Sequence, residues 1–481
     1  MAEAVVVGAG PNGLAAAVAL AQEGVAVTVL EQAATIGGGT RTSELTLPGL
    51  LHDHCSAVHP MGAGSPFLRS LGLERHGLRW CRPQIDLAHP FDDGSAAAMH
   101  RSLEETAAGL GADGPAWRRV FGPLAENFDA LAADLFQPPL HLPAHPVQLA
   151  RFAVRAAWPA EALARTAWRT PAARALFAGT AAHAIRPLTS TGSAAIGLML
   201  VAAGHRWGWP VARGGSRAVT DALAARLAEL GGTVQTGVRV RSLAELPPAD
   251  AILLDLAPHD ALAVCGDRLP ARVARGYARW QYGPGAFKLD LAVEGGIPWR
   301  NESCRRAGTV HLGGTIEEIA HAERQIAAGR MPQRPFVLVA QQYLADPTRS
   351  VGTLRPVWAY AHVPNGWSGD ATEAVLDQIE RFAPGTRERT VATVSQGVEQ
   401  LAAGNPNYVA GDILTGANTA RQLALRPRPA LDPYSTGIPG VYLCSAATPP
   451  GAGVHGMCGY GAARSALRHL HRRPPSRGLA A

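Results

Sequence analysis

The chain has 481 residues, 47% hydrophobic and 17% charged, which allows two or three packing units with a large core and excludes a disordered or fibrous protein. The net charge of +6 comes from 44 basic residues, of which Lys288 is the only lysine. With no clustering or motif support, this reads as a solvated, Arg-rich surface and excludes a nucleic-acid footprint.

The first thirty residues form the clearest segment. Residues 4–7 are a short β-branched run, 8–13 a glycine turn, 14–22 an Ala/Leu-rich helix and 25–30 a second buried strand that ends at Glu31. This is a βαβ unit. It begins without a basic leader, so no signal peptide is expected and the cytoplasm is the default compartment. Residues 76–204 read as mostly helical, interrupted by the proline-rich stretch 138–146. Residues 216–255 return to α/β character, with a helix at 221–229, a stop at Gly231-Gly232 and strands at 234–240 and 251–256. Residues 275–429 mix strand-like runs, including 336–341 and 357–362, with a helix at 373–382. A strand at 440–444, a Gly/Pro loop and a helix over 454–470 close the fold, and 472–481 reads as a frayed tail. The longest apolar stretch, 194–204, is too short to span a bilayer. Six cysteines without a C-x-x-C exclude a disulfide scaffold.

The glycine turn carries chemistry. In Gly8-x-Gly10-Pro11-Asn12-Gly13, the first glycine permits a tight turn. The second lets the backbone approach a pyrophosphate, and the third lets helix and strand pack closely. The phosphates then meet the helix N-terminus. Glu31, 18 residues beyond Gly13, accepts hydrogen bonds from a ribose diol and repels a 2′-phosphate, which argues against NADP. A second glycine run with Gly38, Gly39, Thr40 and Arg41 follows. An NAD-dependent dehydrogenase has no use for it, whereas FAD stretches into the chain beyond, where Arg41 can pair with phosphate.

These segments, with 53–60 (Asp-His-Cys-Ser-Ala-Val-His-Pro), resemble the phytoene desaturase-like FAD oxidoreductases. That family includes carotenoid desaturases, retinol saturases and the pyridine nucleotide-disulfide oxidoreductase domain 2 type, with amine oxidases as more distant relatives. Gly231-Gly232 followed by Val238-x-Val240 resembles the strand whose backbone touches the adenine. Residues 441–460, with Ser445, Gly453, Val454, His455, Gly456 and Met457, resemble the C-terminal motif at the flavin end. A helix starting near Val454 would aim its N–H groups at the flavin edge that gains charge on reduction. Gly451-x-Gly453-x-x-Gly456 is formally a second fingerprint, but only 25 residues follow it, so no stable nicotinamide site is expected. Ser445 and Ala446 stand where many relatives carry an acidic residue, leaving ribityl contacts to backbone and hydroxyl. No redox-active cysteine pair follows the glycine loop, so disulfide reduction is not expected.

The resemblance implies a two-domain α/β flavoprotein of the glutathione reductase/amine oxidase type with an inserted α+β substrate domain. The Rossmann-like FAD domain is expected at 1–75, 205–274 and 430–481, and the substrate domain at 76–204 and 275–429. The implied activity is dehydrogenation (desaturation) of an apolar substrate by hydride transfer to flavin N5, with oxygen or a quinone as acceptor. Amine-oxidase-like oxidation, double-bond isomerisation and a partner- or membrane-binding role with little turnover are the alternatives. The family has a lysine at the place of Lys288, where it would hold a water at N5, although pairing with Asp290 accounts for it as well. His59 and His455 are candidates for facing substrate or flavin, each weighed against a structural role. Arg151, Arg155, Trp158, Arg165, Trp168, Arg169, Arg174, Trp207 and Trp209 mark either a solvated cap or a peripheral membrane contact.

Overall fold

The computed structural model describes residues 2–472. The expected tail beyond residue 472 lies outside them. Two sheets organise the chain. The first has five strands, all parallel, in the order Val441–Leu443, Ala251–Leu254, Glu3–Val7, Ala26–Leu30 and Thr233–Gln235. Its strands are short, apolar and buried, as a sheet covered on both faces requires. Helices Pro11–Gln22 and Met457–Arg472 pack on it, and Val6, Leu14, Val18, Val29 and Leu253 are fully buried at its centre.

The second sheet has seven strands, in the order Thr390–Gln396, Gly285–Glu294, Leu354–Val363, Val337–Ala340, Ala307–Leu312, Ile85–Pro90 and Ala96–Met99. All its pairings are antiparallel except that of Ala307–Leu312 with Ile85–Pro90. Side chains alternate across it. Val357, Ala359 and Ala361 turn toward helix Thr372–Phe382, burying Val375, Ile379 and Phe382. Trp358 and Tyr360 turn the other way, toward helices Pro146–Ala156, Pro171–Ala182 and Ala194–Trp207 and the space between.

Several expectations shift. Residues 76–204 are not only helical, since Trp80–Cys81, Ile85–Pro90 and Ala96–Met99 are strands. All six residues of Ile85–Pro90 are buried, so no alternation marks the strand, and Ala96–Met99 is alanine-rich. The strand expected over 234–240 stops at Gln235. Gly237 has φ +75°, and its amide and that of Val238 bond to the Ala33 and Glu31 carbonyls across the chain. The last helix starts at Met457, three residues late, after positive-φ Gly453 and Gly456.

A buried ionic cluster ties the chain segments together. Arg349, fully buried, pairs with Asp53 (2.5 Å) and Asp346 (3.2 Å) and donates to the Ala212 carbonyl (2.8 Å). Asp53 also accepts from Thr42 Oγ1 and the Ser216 amide. Burial pushes the Asp53 pKa up, but Arg349 and these hydrogen bonds outweigh it and hold the carboxyl below its ordinary value. Removing one partner from a buried pair strands the other charge. Arg349→Met should therefore lower the unfolding free energy by ~3–5 kcal/mol in denaturant titrations, with part recovered in the Arg349→Met/Asp53→Asn double variant. An unchanged midpoint would contradict this account.

Candidate functional site

The glycine turn sits as its spacing demands. Gly8 has φ +103°, and a side chain there would meet Asp255 at 3.0 Å. Gly10 caps helix Pro11–Gln22, with Pro11 at its first turn. A Cβ on Gly13 would run into the Gly8 carbonyl, so only glycine lets helix and strand close up. Glu31 accepts from the Ala9 amide (2.8 Å) and the Ala33 amide (2.9 Å) and pairs with Arg41 (3.3 Å).

Two adjoining chambers lie beside this loop. The smaller, of about 210 Å³, is lined by Gly8, Glu31, Arg41 and the stretch 238–241, including Val240. The larger, of about 700 Å³ and within the usual range of ligand pockets, begins at Pro11, Asn12, Gly39 and Thr40. It then passes His59, Gly453, Val454 and His455 and runs between the antiparallel sheet and the helices. Its far walls are apolar: Phe136, Phe152, Met199, Leu200, Leu338 and Trp358. Gly10, Gly38, Asp255, Asn405 and Asn407 line both chambers.

The histidines at this wall are neutral. Burial lowers His59 to about 4, with Asp53 opposing, and His59 Nε2 lies 2.8 Å from Ser216 Oγ. Burial likewise takes His455 to about 4. Its Nδ1 accepts from the Met457 amide (3.0 Å), so the ring proton sits on Nε2. At the sheet side of the same cavity, His183, which lines it, and His311 meet Nε2 to Nε2 at 3.0 Å.

Some candidate residues lie elsewhere. Lys288 is buried and paired with Asp290, which faces His52 Nδ1 at 3.3 Å, and it lines neither chamber. Ser445 is buried, with its hydroxyl taken by the Ala447 amide (3.4 Å), and the neighbouring Ala446 reaches the cavity instead. Gly456 packs against Ala15, and Gly456 and Met457 stay behind the wall. Trp168, Trp207 and Trp209 are buried, leaving Trp158 as the exposed tryptophan of its group. Sequence reasoning missed Asp255, Asn405, Asn407, Tyr408 and the Trp358–Tyr360 pair. The one local signal was an acidic residue ending the apolar strand before position 256.

A bound dinucleotide fits these residues. A Cβ on Gly10 would stand 2.8 Å from Asp255 Oδ2, so the loop leaves room for phosphates only without a side chain. Asn12 Oδ1 is buried without a partner at the same place. Glu31 and Val240 line the smaller chamber and would flank an adenosine there, Gly39 and Thr40 line the larger one, and Gly38 lines both.

Residues 6–71 match the NAD(P)-binding Rossmann-like domain. The chain is 25% identical to the mouse (Mus musculus) pyridine nucleotide-disulfide oxidoreductase domain-containing protein 2, across 97% of this chain and 94% of that protein. Over 105 residues, 22% of this chain and 19% of the relative, it is 32% identical to a limonene dehydrogenase polypeptide of Castellaniella defragrans. Its fold is shared with putrescine oxidase bound to putrescine, at a TM-score of 0.63 and 18% identity, covering 98% of this chain and 99% of that one. The mixed α/β fold with a Rossmann-like domain, and the resemblance that implied it, therefore stand. The six cysteines are free, without a disulfide.

The buried imidazoles make stability depend on acidity. His59, His89, His205 and His455 fall to about 4, His183 to about 3, and His311 well below its ordinary value, all chiefly through burial. Their folded pKa values lie below the unfolded one, so the stability they confer is present above about 6.5 and lost as pH falls toward 4. Burial raises Asp86 and Asp412 to about 6 and Asp255 to about 7, which acts in the opposite direction. The imidazoles outnumber these carboxyls. Unfolding free energy should fall by roughly 2–4 kcal/mol per pH unit between pH 6 and 5, read by denaturant titration. A flat profile there would contradict neutral buried histidines.

Proposed function

We propose that the protein is an FAD-dependent oxidoreductase that dehydrogenates an apolar substrate, with oxygen or a quinone as final acceptor. The observation that carries this reading is that the Glu31 chamber and the apolar cavity adjoin at the glycine turns, sharing Gly10 and Gly38 in their linings. When bound, FAD supplies the hydride acceptor. The chain's own residues bind, orient and exclude water. The N-terminus of helix Pro11–Gln22 offers free amides and a favourable dipole to phosphates. Glu31 is placed for ribose hydroxyls. His455 is neutral, with its Nδ1 accepting from the Met457 amide and its ring N–H turned to the Gly451 and Ala452 carbonyls, so it places no cation at the cavity wall. Phe136, Phe152, Met199 and Leu200 keep water from the reacting end.

The lining favours desaturation over amine oxidation. Asp134 and Asp255 are its acidic residues. Asp134 already accepts from the Ala144 and His145 amides (2.8 Å each) and meets His141 Nε2 at 3.1 Å. Asp255 lies at the glycine loop. Neither leaves a carboxylate free at the apolar end to pair with an ammonium. The isoprenoid named in the limonene dehydrogenase relative fits such a lining better than a diamine does. Acid precipitation should release yellow FAD into the supernatant, and primary amines should not bleach the anaerobic flavin faster than buffer. A colourless protein would refute the cofactor, and rapid bleaching by amines would favour the amine-oxidase reading.

We also propose that the helix Pro146–Ala156 side of the cavity rests on a membrane surface. Leu140, Leu142, Val147, Val154 and Trp158 are exposed on one stretch of chain, from which Leu149 and buried Phe152 also line the cavity. Between Asp134 and Glu161 the only charges of fixed sign are Arg151 and Arg155, which complements anionic headgroups. No helix among the described residues is long and apolar enough to cross a membrane. The protein should co-sediment with phosphatidylglycerol vesicles, and Leu142→Asp/Val147→Asp should release it. Equal sedimentation of both proteins would remove this surface from the account.

A further inference from the structure

Five residues line both chambers, and Asp255 is the only ionisable one among them. It follows strand Ala251–Leu254 and lies at the glycine turn, buried, with its side chain making one hydrogen bond, from the Gly13 amide to Oδ2 (2.9 Å). Oδ2 also occupies the direction that a Gly10 side chain would take, 2.8 Å from where its Cβ would stand. That is the direction from which a dinucleotide's phosphates approach a fingerprint loop. An ionised carboxylate and a diphosphate cannot share so small and dry a space without a cation or a proton between them.

Among the described residues no cation is free to serve. Arg41, in the smaller chamber, is held by Glu31 and by the Thr35 and Gly404 carbonyls. Arg239 and Arg241 stand at the outer rim of that chamber, both exposed. The other groups near Asp255 are anionic or neutral. Glu31 and Asp260 line the smaller chamber, and Glu31 adds to the upward shift of Asp255. Cys444, just beyond its strand, and Cys458, on the last helix, have thiols that burial, with Asp255 adding, pushes up. Asn407 lies beside it, donating to the Asp255 carbonyl (2.9 Å) and accepting from the Ala257 amide (2.6 Å).

We propose that Asp255 is a cofactor-binding residue that enters the complex as a neutral carboxylic acid, its O–H donating to a phosphate oxygen, so that each FAD bound takes up a proton from solvent at this position. The proton ends on the carboxyl, Gly13 keeps its acceptor, and no bond to the cofactor is made or broken. In the free protein burial already brings this carboxyl up to about 7, against the pull of the Gly13 amide, and the incoming phosphates raise it further. The inference rests on the FAD reading above.

The test uses full-length apoprotein freed of flavin by chaotrope and titrated with FAD by fluorescence between pH 6 and 9. Calorimetry in two buffers of different ionisation enthalpy counts protons. FAD itself has no group titrating in this window. Wild type should lose affinity about tenfold per pH unit above pH ~7.5 and take up about one proton per FAD at pH ~8.5. Asp255→Asn keeps the shape and a donor without the charge, so its affinity should stay flat within about threefold, with proton uptake near zero. Equal pH slopes in both proteins, or no proton uptake by wild type, would overturn the inference while leaving the FAD reading intact. Failure of FAD to bind at any pH would overturn both. If Asp255→Asn does not fold, Asp255→Ser and the wild-type proton count decide the matter.

Discussion

The buried guanidinium of Arg349 is the constraint on which the architecture depends. It sits between Asp53, on the ribbon that follows the second glycine run, and Asp346, on a turn of the antiparallel-sheet half, and it reaches the Ala212 carbonyl near helix Arg217–Glu229. Asp346 in turn accepts from the Gly214 amide (2.7 Å). Three chain segments distant in sequence are thereby fixed around one charge that cannot be left unpaired in a dry interior. Ser216, held by Asp53 through its amide, positions His59 at the cavity wall. The wall of the larger chamber is thus set by an ionic cluster that does not itself line it.

Inside that frame the cavity avoids charge. The imidazoles of His59, His183 and His455 are neutral, the acidic residues are held by amides, and Arg426 is taken up by the carbonyls of Gln422 and Ala446 and by Asn418. A low-charge lining suits an apolar substrate, and it strengthens any remaining dipole directed at a group that gains charge. Polar contacts concentrate instead in the smaller chamber, at Glu31, Arg41, Asn405 and Asn407. The division between a polar chamber and an apolar one is what separates cofactor from substrate in this reading.

Legibility in the sequence followed the range of the interactions. The βαβ unit could be read because glycine spacing, strand and helix all lie within thirty residues. The strand Ile85–Pro90 could not, because it is buried on both faces and its inner partner Ala307–Leu312 lies more than two hundred residues away, and Ala96–Met99, which pairs only with Ile85–Pro90, is too alanine-rich to show a strand pattern. Lys288 drew notice as a solitary lysine on an alternating strand and its pairing with Asp290 was readable two residues away, but its depth and the His52 on the far side of Asp290 come from the surrounding fold. Ser445 and Val240 show the same limit in opposite ways. A motif places residues along the chain, and only the fold decides which side chain turns toward the cavity. Asp255 fell inside the strand read over 251–256 and drew no notice, and its closeness to Gly10 and Gly13 arises from the parallel pairing of Ala251–Leu254 with Glu3–Val7.

The central claim is that one dinucleotide occupies both chambers with its flavin end at Val454 and His455. An experimental structure of the protein with FAD tests it most directly. The account predicts density for the adenosine between Glu31 and Val240, phosphates over Gly10, and the ring system against His59, Gly453 and His455. Density confined to the smaller chamber, as a nicotinamide or adenine nucleotide alone would give, or a flavin bound elsewhere, would contradict it.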